Sequence, residues 1–207
     1  MDKSEKFWDK KAEKYARAKI SDMATYEKKL AITRSYMRPD MEVLEQGCGS
    51  GSTALLHAPY VKHIRATDFS QNMVDIARAK AAEQGIDNVT FERATVEEPG
   101  QPDGSVDMVL ALNLIHLVGD WPGAIRDAFR MLKPGGIYVT STACLSDSMR
   151  FMKPIMPLGR AIGIFPAVSF FTQTAYRDAM TDAGFTIEHD WHPGGMKAVF
   201  MVARKPE

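Results

Sequence analysis

The chain has 207 residues, 45% apolar and 25% charged, with 26 Lys and Arg against 26 Asp and Glu. That length suits one domain with a sizeable core. The balanced charge excludes a global basic field for nucleic acid and an acidic tail, and no run reaches the roughly 18 apolar residues of a membrane-spanning helix. Two cysteines, Cys48 and Cys144, imply no disulfide framework, and the stretch from Met1 to Lys6 lacks the apolar core of a signal peptide, so a reducing, cytoplasmic setting is expected.

Residues Lys3 to Met37 read as helical and charge-rich, with aromatics at Phe7, Trp8, Tyr15, Tyr26 and Tyr36, and Pro39-Asp40 ends them. A first strand covers Val43 to Glu45, and a helix from Ser52 to Ala58 stops at Pro59. A second strand, Ile64 to Thr67, ends in Asp68; Ser70 then caps a helix from Gln71 to Gln84, closed by Gly85. Val89 to Phe91 is a short third strand, and residues 99–104 are a loop. Val106 to Leu112 is a strongly apolar fourth strand. Trp121 to Leu132 is a helix broken by Pro134-Gly135-Gly136, and Ile137 to Thr142 is the fifth strand. After an apolar stretch from Ser146 to Phe171 come a helix from Thr174 to Ala183 and two closing strands, Phe185 to His189 and Met196 to Ala203, expected to be antiparallel. Strands alternating with helices predict a doubly wound, mostly parallel α/β sheet.

The run Val43-Leu44-Glu45-Gln46-Gly47-Cys48-Gly49-Ser50-Gly51 is a strand ending in an acid and breaking into a glycine turn before a helix. Glycines there permit positive φ and bring backbone close to a ligand, which makes a nucleotide-type site at the carboxyl edge of a parallel sheet.

Five elements in order then make the chain resemble the class I S-adenosylmethionine-dependent methyltransferases, in particular the ubiquinone/menaquinone biosynthesis subgroup. They are Phe7-Trp8-Asp9 with Ala12 and Tyr15, the glycine turn, Ala66-Thr67-Asp68-Phe69-Ser70, Asp103-Gly104-Ser105-Val106-Asp107, and Leu132-Lys133-Pro134-Gly135-Gly136. The likeness runs from about Phe7 to Gly136. It implies a Rossmann-like, seven-stranded sheet with an antiparallel C-terminal strand and a helical lid insertion. It also implies one domain: a helical cap over 1–38, a cofactor-binding core over 39–145, a lid over 146–171 and a closing unit over 172–207.

The resemblance implies S-adenosylmethionine as cofactor and S-adenosylhomocysteine as product. Gly47, Cys48 and Gly49 would then approach the cofactor's tail and ribose, and Glu45 would accept from its ammonium. Asp68, 17 residues after Gly51, would accept from both ribose hydroxyls. Phe69 and Met73 would cover the adenine, Met73 equally serving as core. Ala94, Thr95 and Val96 follow the third strand, where the family has an Asp-Ala pair; Thr95 stands in place of the Asp, so Thr95, Glu97 or backbone must meet the adenine amino group. Asn113 and Leu114 follow the fourth strand near the transferable methyl. His116 is the candidate general base, against a histidine that only packs. Tyr15 either faces the sulfonium by a cation–π contact or anchors its helix. Cys48 is read as packing rather than as a nucleophile, His57 and His63 as surface or packing residues, and no metal site is expected at His189 and His192.

The stretch from Ser146 to Phe171 carries Phe151, Met152, Ile155, Leu158, Ile162, Ile164 and Phe171, with charge at Asp147, Arg150, Lys153 and Arg160. It reads as a lid over an apolar or lipid-like small-molecule acceptor, as a peripheral membrane patch, or as a flap that completes the core or a homodimer interface. No nucleic acid partner is expected. A cofactor-binding sensor without catalysis is the alternative function; a nucleotide-dependent oxidoreductase is disfavoured because Gly-Cys-Gly-Ser-Gly departs from G-x-G-x-x-G.

Overall fold

The computed structural model describes residues 3–98, 100–156, 159 and 165–207. In chain order the elements are α1 (Lys3–Arg17), α2 (Met23–Ser35), β1 (Glu42–Gln46), α3 (Ser52–His57), β2 (His63–Asp68), α4 (Gln71–Gln84), β3 (Val89–Arg93) and β4 (Val106–Leu112). They continue as α5 (Trp121–Met131), β5 (Leu132–Thr142), α6 (Leu145–Ser148), α7 (Gln173–Asp182), β6 (Thr186–Trp191) and β7 (Val199–Arg204). The strands form one sheet of seven in the order β3-β2-β1-β4-β5-β7-β6. Five are parallel, and β7 runs antiparallel between β5 and β6. The doubly wound sheet with its antiparallel ending is therefore as the sequence predicts.

Helices cover both faces because β1, β4 and β5 are apolar on both sides, as a central parallel strand requires. Leu44, Val109 and Tyr138 pack toward Ile125 and Ala128 of α5 and Tyr176 and Met180 of α7. Val43, Met108, Leu110 and Val139 pack on the other face toward Ala54 and Leu55 of α3 and Val74 and Ala77 of α4. The pairings Glu45↔Ala66 and Glu45↔Leu110 align the carboxyl ends of β1, β2 and β4 on one edge.

Several boundaries differ from the sequence reading. The N-terminal helical region is two helices, because the Asp22 carboxylate accepts from Thr25 N at 3.1 Å and caps a fresh start for α2. The Pro134-Gly135-Gly136 run lies within β5: α5 ends at Met131, and the register shifts between the Val106↔Leu132 and Met108↔Ile137 pairs. Gly135, at φ 73°, turns its N–H to Lys205 O at 2.9 Å, so the run is a bulge in a continuing strand. Gly194 and Gly195 have φ of 92° and 63°, which keeps Met196 in an exposed turn and delays β7 to Val199. The caps at Ser70 and Gly85 stand where expected, with Ser70 Oγ accepting from Met73 N at 3.3 Å.

In the stretch after β5, α6 is followed by one 3-10 turn at Arg150–Met152. Phe171 is buried against Trp121, with ring centroids 4.5 Å apart, so this end completes the core. Phe151 and Ile155 are exposed, whereas Leu158, Arg160, Ile162, Ile164 and the loop's Pro99 lie outside the described residues. None of the described helices is long and apolar enough to cross a membrane.

Candidate active site

The turn after β1 is held by its own backbone. Gly47, Gly49 and Gly51 have φ of 62°, 53° and 75°, a region that L side chains rarely occupy. Cys48 N donates to Thr67 O at 2.9 Å, and Gly51 N to Cys48 O at 3.0 Å. A Cβ on Gly47 would stand 2.5 Å from Leu114 Cδ1, and one on Gly51 2.7 Å from Ala77 Cβ and 2.8 Å from the Phe91 ring. Gly51→Ala should therefore cost about 2 kcal/mol from φ strain and overpacking together, read as a lowered midpoint in urea unfolding. Lys80 Nζ braces the turn from behind by donating to Ser50 Oγ and Ser52 Oγ, each at 3.0 Å.

Two carboxylates face this turn. Asp68, at the tip of β2, accepts from Gly49 N through Oδ2 and from Ser70 N through Oδ1, both at 2.9 Å. A carboxylate offers about four acceptor positions, so each oxygen keeps one for a ligand. Burial raises the Asp68 pKa, and backbone N–H donors, Ser70 and Gly49 foremost, oppose that rise. Glu45 is only 3% exposed, and its Oε2 has no hydrogen-bond partner among the described residues. Burial, with the neighbouring Asp68 charge second, pushes its pKa up to about 8.

A cavity of about 670 Å³ opens beside the turn. Tyr15, Gly47, Gly49, Asp68, Phe69 and Met73 line it, and from the next two strand ends so do Ala94, Thr95, Val96, Asn113 and Leu114. Met73 is at once buried in the core and part of the cavity lining. Tyr15 Cε1 lies 3.4 Å from where a Cβ on Gly49 would stand, which brings α1 over the turn. That helix is tied down by Asp9, which accepts from Ser70 Oγ at 2.5 Å, and by the Glu5–Arg93 ion pair. Glu5, Trp8 and Arg93 line the cavity too. The sequence reading did not single out Glu5 or Arg93, because a pair 88 residues apart leaves no local signal.

Three of the predicted residues sit apart from that lining. Glu45 is buried near the end of β1 and does not reach the cavity lining. Cys48 is buried, and burial pushes its thiol pKa well up, as does the burial that takes Cys144 to about 12; both stay protonated. His116, in the 3-10 turn Ile115–Leu117, faces β5 instead. Its Nδ1 lies 3.2 Å from Thr142 Oγ1 and accepts from Ala143 N at 3.4 Å. An N–H aimed at Nδ1 puts the proton of the neutral ring on Nε2, and burial pushes the pKa down to about 4. His116 is thus a neutral donor, with its accepting nitrogen already occupied.

Thr95 is also engaged, its Oγ1 accepting from Glu98 N at 3.1 Å. Asn113 is the only non-glycine residue at positive φ among those described, at 56°, and its N–H donates to Ser141 O at 2.7 Å. Asn is among the few non-glycine residues that enter this left-handed region readily. Of the remaining histidines, His57 is fully buried, His63 Nε2 pairs with Thr90 Oγ1 at 2.9 Å, and His192 Nδ1 accepts from Gly194 N. No group of three or more His, Cys, Asp or Glu among the described residues is placed to hold a metal ion.

A family model described as a methyltransferase domain matches residues 43–136, the turn through the β5 bulge. The uncharacterized methyltransferase YcgJ of Bacillus subtilis is 34% identical over 110 residues, covering 53% of this chain and 44% of that protein. The ubiquinone/menaquinone biosynthesis C-methyltransferase UbiE of Vibrio campbellii is 31% identical over 148 residues, covering 69% of this chain and 53% of that protein. The chain thus spans about half the length of these two curated relatives. In three dimensions the crystal structure of Bacillus subtilis YcgJ superposes with a TM-score of 0.73 at 20% identity, over 87% of this chain and 99% of that one. A methyltransferase structure from Mesorhizobium loti gives 0.70 at 19% identity, over 84% and 96%. With the glycine turn, the acid at the end of β2 and the antiparallel β7 in their places, the chain belongs to the class I S-adenosylmethionine-dependent methyltransferases and is similar to the UbiE subgroup.

Proposed function

We propose that the chain is an enzyme that transfers a methyl group from S-adenosylmethionine to a small acceptor with an apolar body. The observation that carries the reading is the pair of carboxylates on adjacent strand tips, Glu45 with an unpartnered buried oxygen and Asp68 with one acceptor position free on each oxygen. Asp68, in the cavity lining, fits a ribose diol directly, and Glu45, buried outside the lining, fits the tail's ammonium through the negative field of its ionised form. The cofactor supplies an electrophilic methyl on a sulfonium.

The residues around the cavity bind, orient and exclude water. Gly47 and Gly49 let the backbone approach the ligand's tail. Phe69 and Met73 give an apolar wall for the purine. With Thr95 Oγ1 already accepting from Glu98 N, Thr95 offers one remaining lone pair, and Glu97 at the cavity wall is the charged acceptor within the same turn. Tyr15 and Trp8 close the top, their rings edge to face at 6.0 Å. Ala167 joins the cavity lining, and Ser169 N donates to His116 O at 2.8 Å, which supports a lid role for residues 146–171. His116 does not fit a general base, since its accepting nitrogen is engaged. It fits a packing histidine that ties the 3-10 turn to β5 through Thr142 and Ala143. Alignment and exclusion of water then supply the rate.

Calorimetry with S-adenosylmethionine, S-adenosylhomocysteine and NAD tests the cofactor reading: micromolar binding of the first two is expected, and binding of NAD alone would overturn it. Single-turnover transfer of labelled methyl to a panel of phenols, quinols and phospholipid amines tests the enzyme. Tight binding without transfer to any of them would favour the sensor reading.

A further inference from the structure

Helix α2 brings a cation to the same strand edge. Lys29 Nζ donates to Ser141 Oγ at 2.7 Å, and Ser141 Oγ donates to Asn113 Oδ1 at 3.3 Å. The direction follows from chemistry: an ammonium can only donate, so Ser141 accepts from it and passes its own proton to the amide oxygen. The Asn113 amide nitrogen keeps both donors, at a residue that lines the cavity and whose backbone is locked at positive φ.

Lys29 has no ion-pair partner among the described residues. Asp22, the one acid whose charge acts on it, is taken by Lys197 at 2.7 Å. Burial lowers the Lys29 pKa. Lys29 Nζ also lies over the Phe200 ring, 5.9 Å from its centroid. A half-buried ammonium spent on a neutral hydroxyl is costly unless its field acts on something. What it acts on is the relay: positive charge at one end strengthens the amide donor at the other.

We propose that Lys29, Ser141 and Asn113 form a charge-polarised relay that selects an acceptor with an acidic hydroxyl, a phenol or an enol, and binds it as its anion. The hydroxyl proton leaves to water on binding, and the anion's oxygen accepts from the Asn113 amide. Lys29 and Ser141 are positioning residues that act through Asn113. The inference rests on the methyltransferase reading of the cavity and narrows its substrate class.

The probe is 4-nitrophenol, whose phenolate is yellow and whose neutral form is colourless, titrated into protein saturated with S-adenosylhomocysteine. The wild type should lower the apparent pKa of the bound probe by about one unit, a roughly tenfold enrichment of phenolate at mildly acidic pH. Lys29→Met and Ser141→Ala should each abolish that enrichment, and Lys29→Arg should keep it. Calorimetry on the same samples should give unchanged S-adenosylhomocysteine affinity in all three variants. Wild-type protein that binds no phenolate, or enrichment that persists in Lys29→Met and Ser141→Ala, would overturn the relay while leaving the cofactor reading intact. A loss of S-adenosylhomocysteine affinity in Lys29→Met would assign Lys29 to the fold or the cofactor and overturn it as well. No S-adenosylhomocysteine binding by the wild type would remove the cofactor reading and the relay together.

Discussion

Replacing Asp68 by Ala should weaken S-adenosylmethionine binding about 100-fold or more. Asp68 is buried at the tip of β2, where its two oxygens already accept from Gly49 N and Ser70 N and each keeps one acceptor position. Hydrogen bonds to a charged group contribute about 1.5–3 kcal/mol each, so two ribose hydroxyls lost from it correspond to at least about 3 kcal/mol. The alanine variant also strands two N–H groups at the turn, which loosens the loop that approaches the ligand. Asp68→Asn separates the contributions. Its amide oxygen can still accept from one backbone N–H, but the charge is gone, so an intermediate loss of about tenfold is expected. Calorimetry with S-adenosylhomocysteine measures both variants, and urea unfolding of the ligand-free proteins checks that each is folded. Near-normal affinity of Asp68→Ala would remove Asp68 from the ribose site.

The parts of this site that sequence reveals are those written in local chemistry. Glycines at alternate positions after Val43-Leu44-Glu45 announce positive φ, and the structure has it at all three. The acid closing β2 falls beside that turn because parallel register aligns Gln46 with Thr67. Features that depend on contacts distant in sequence leave no such mark. The break between α1 and α2 is hidden because both helices are charged, and only the Asp22 cap separates them. The Pro134-Gly135-Gly136 run looks like a break, yet pairing with Lys205 at the chain's far end carries the strand through it. His116 follows β4 as a base would. The 3-10 turn at Ile115–Leu117 and the hydroxyl of Thr142 decide where its ring points, and neither is visible from its own position. Lys29 resembles any lysine in a charged helix until β5 places Ser141 against it.

The ligand-free protein should be most stable near pH 6.5 and lose about 2 kcal/mol by pH 8. Glu45 has its pKa raised from 4.5 to about 8 in the fold, so the native state holds a proton that the unfolded chain has released. Stability from that group is full below pH 4.5 and falls as pH rises toward 8, about 5 kcal/mol across the whole window. His57 and His116 act in the opposite sense. Burial pushes both from 6.5 down to about 4, so the unfolded chain binds protons that the native state refuses, and stability falls as pH drops through that window by about 3 kcal/mol each. Between pH 4.5 and 6.5 the two histidines outweigh the one glutamate and stability rises with pH; above 6.5 only the glutamate remains and stability falls. Asp68, its pKa also raised by burial, acts in the same sense as Glu45, losing stability as pH rises from its ordinary value of 3.8 to its own raised pKa. Glu45→Gln removes the glutamate's ionisation and should flatten the decline above pH 6.5 while weakening cofactor binding. A bound ammonium favours the Glu45 carboxylate, so saturating S-adenosylmethionine should flatten the same decline in the wild type. Its binding at pH 7 should also release close to one proton, seen as a calorimetric enthalpy that varies with the buffer's ionisation enthalpy. Urea unfolding at half-unit pH steps, with and without ligand, measures the curve. A decline above pH 6.5 that is identical in Glu45→Gln would mean that the buried, unpartnered carboxylate near the end of β1 is not the group responsible.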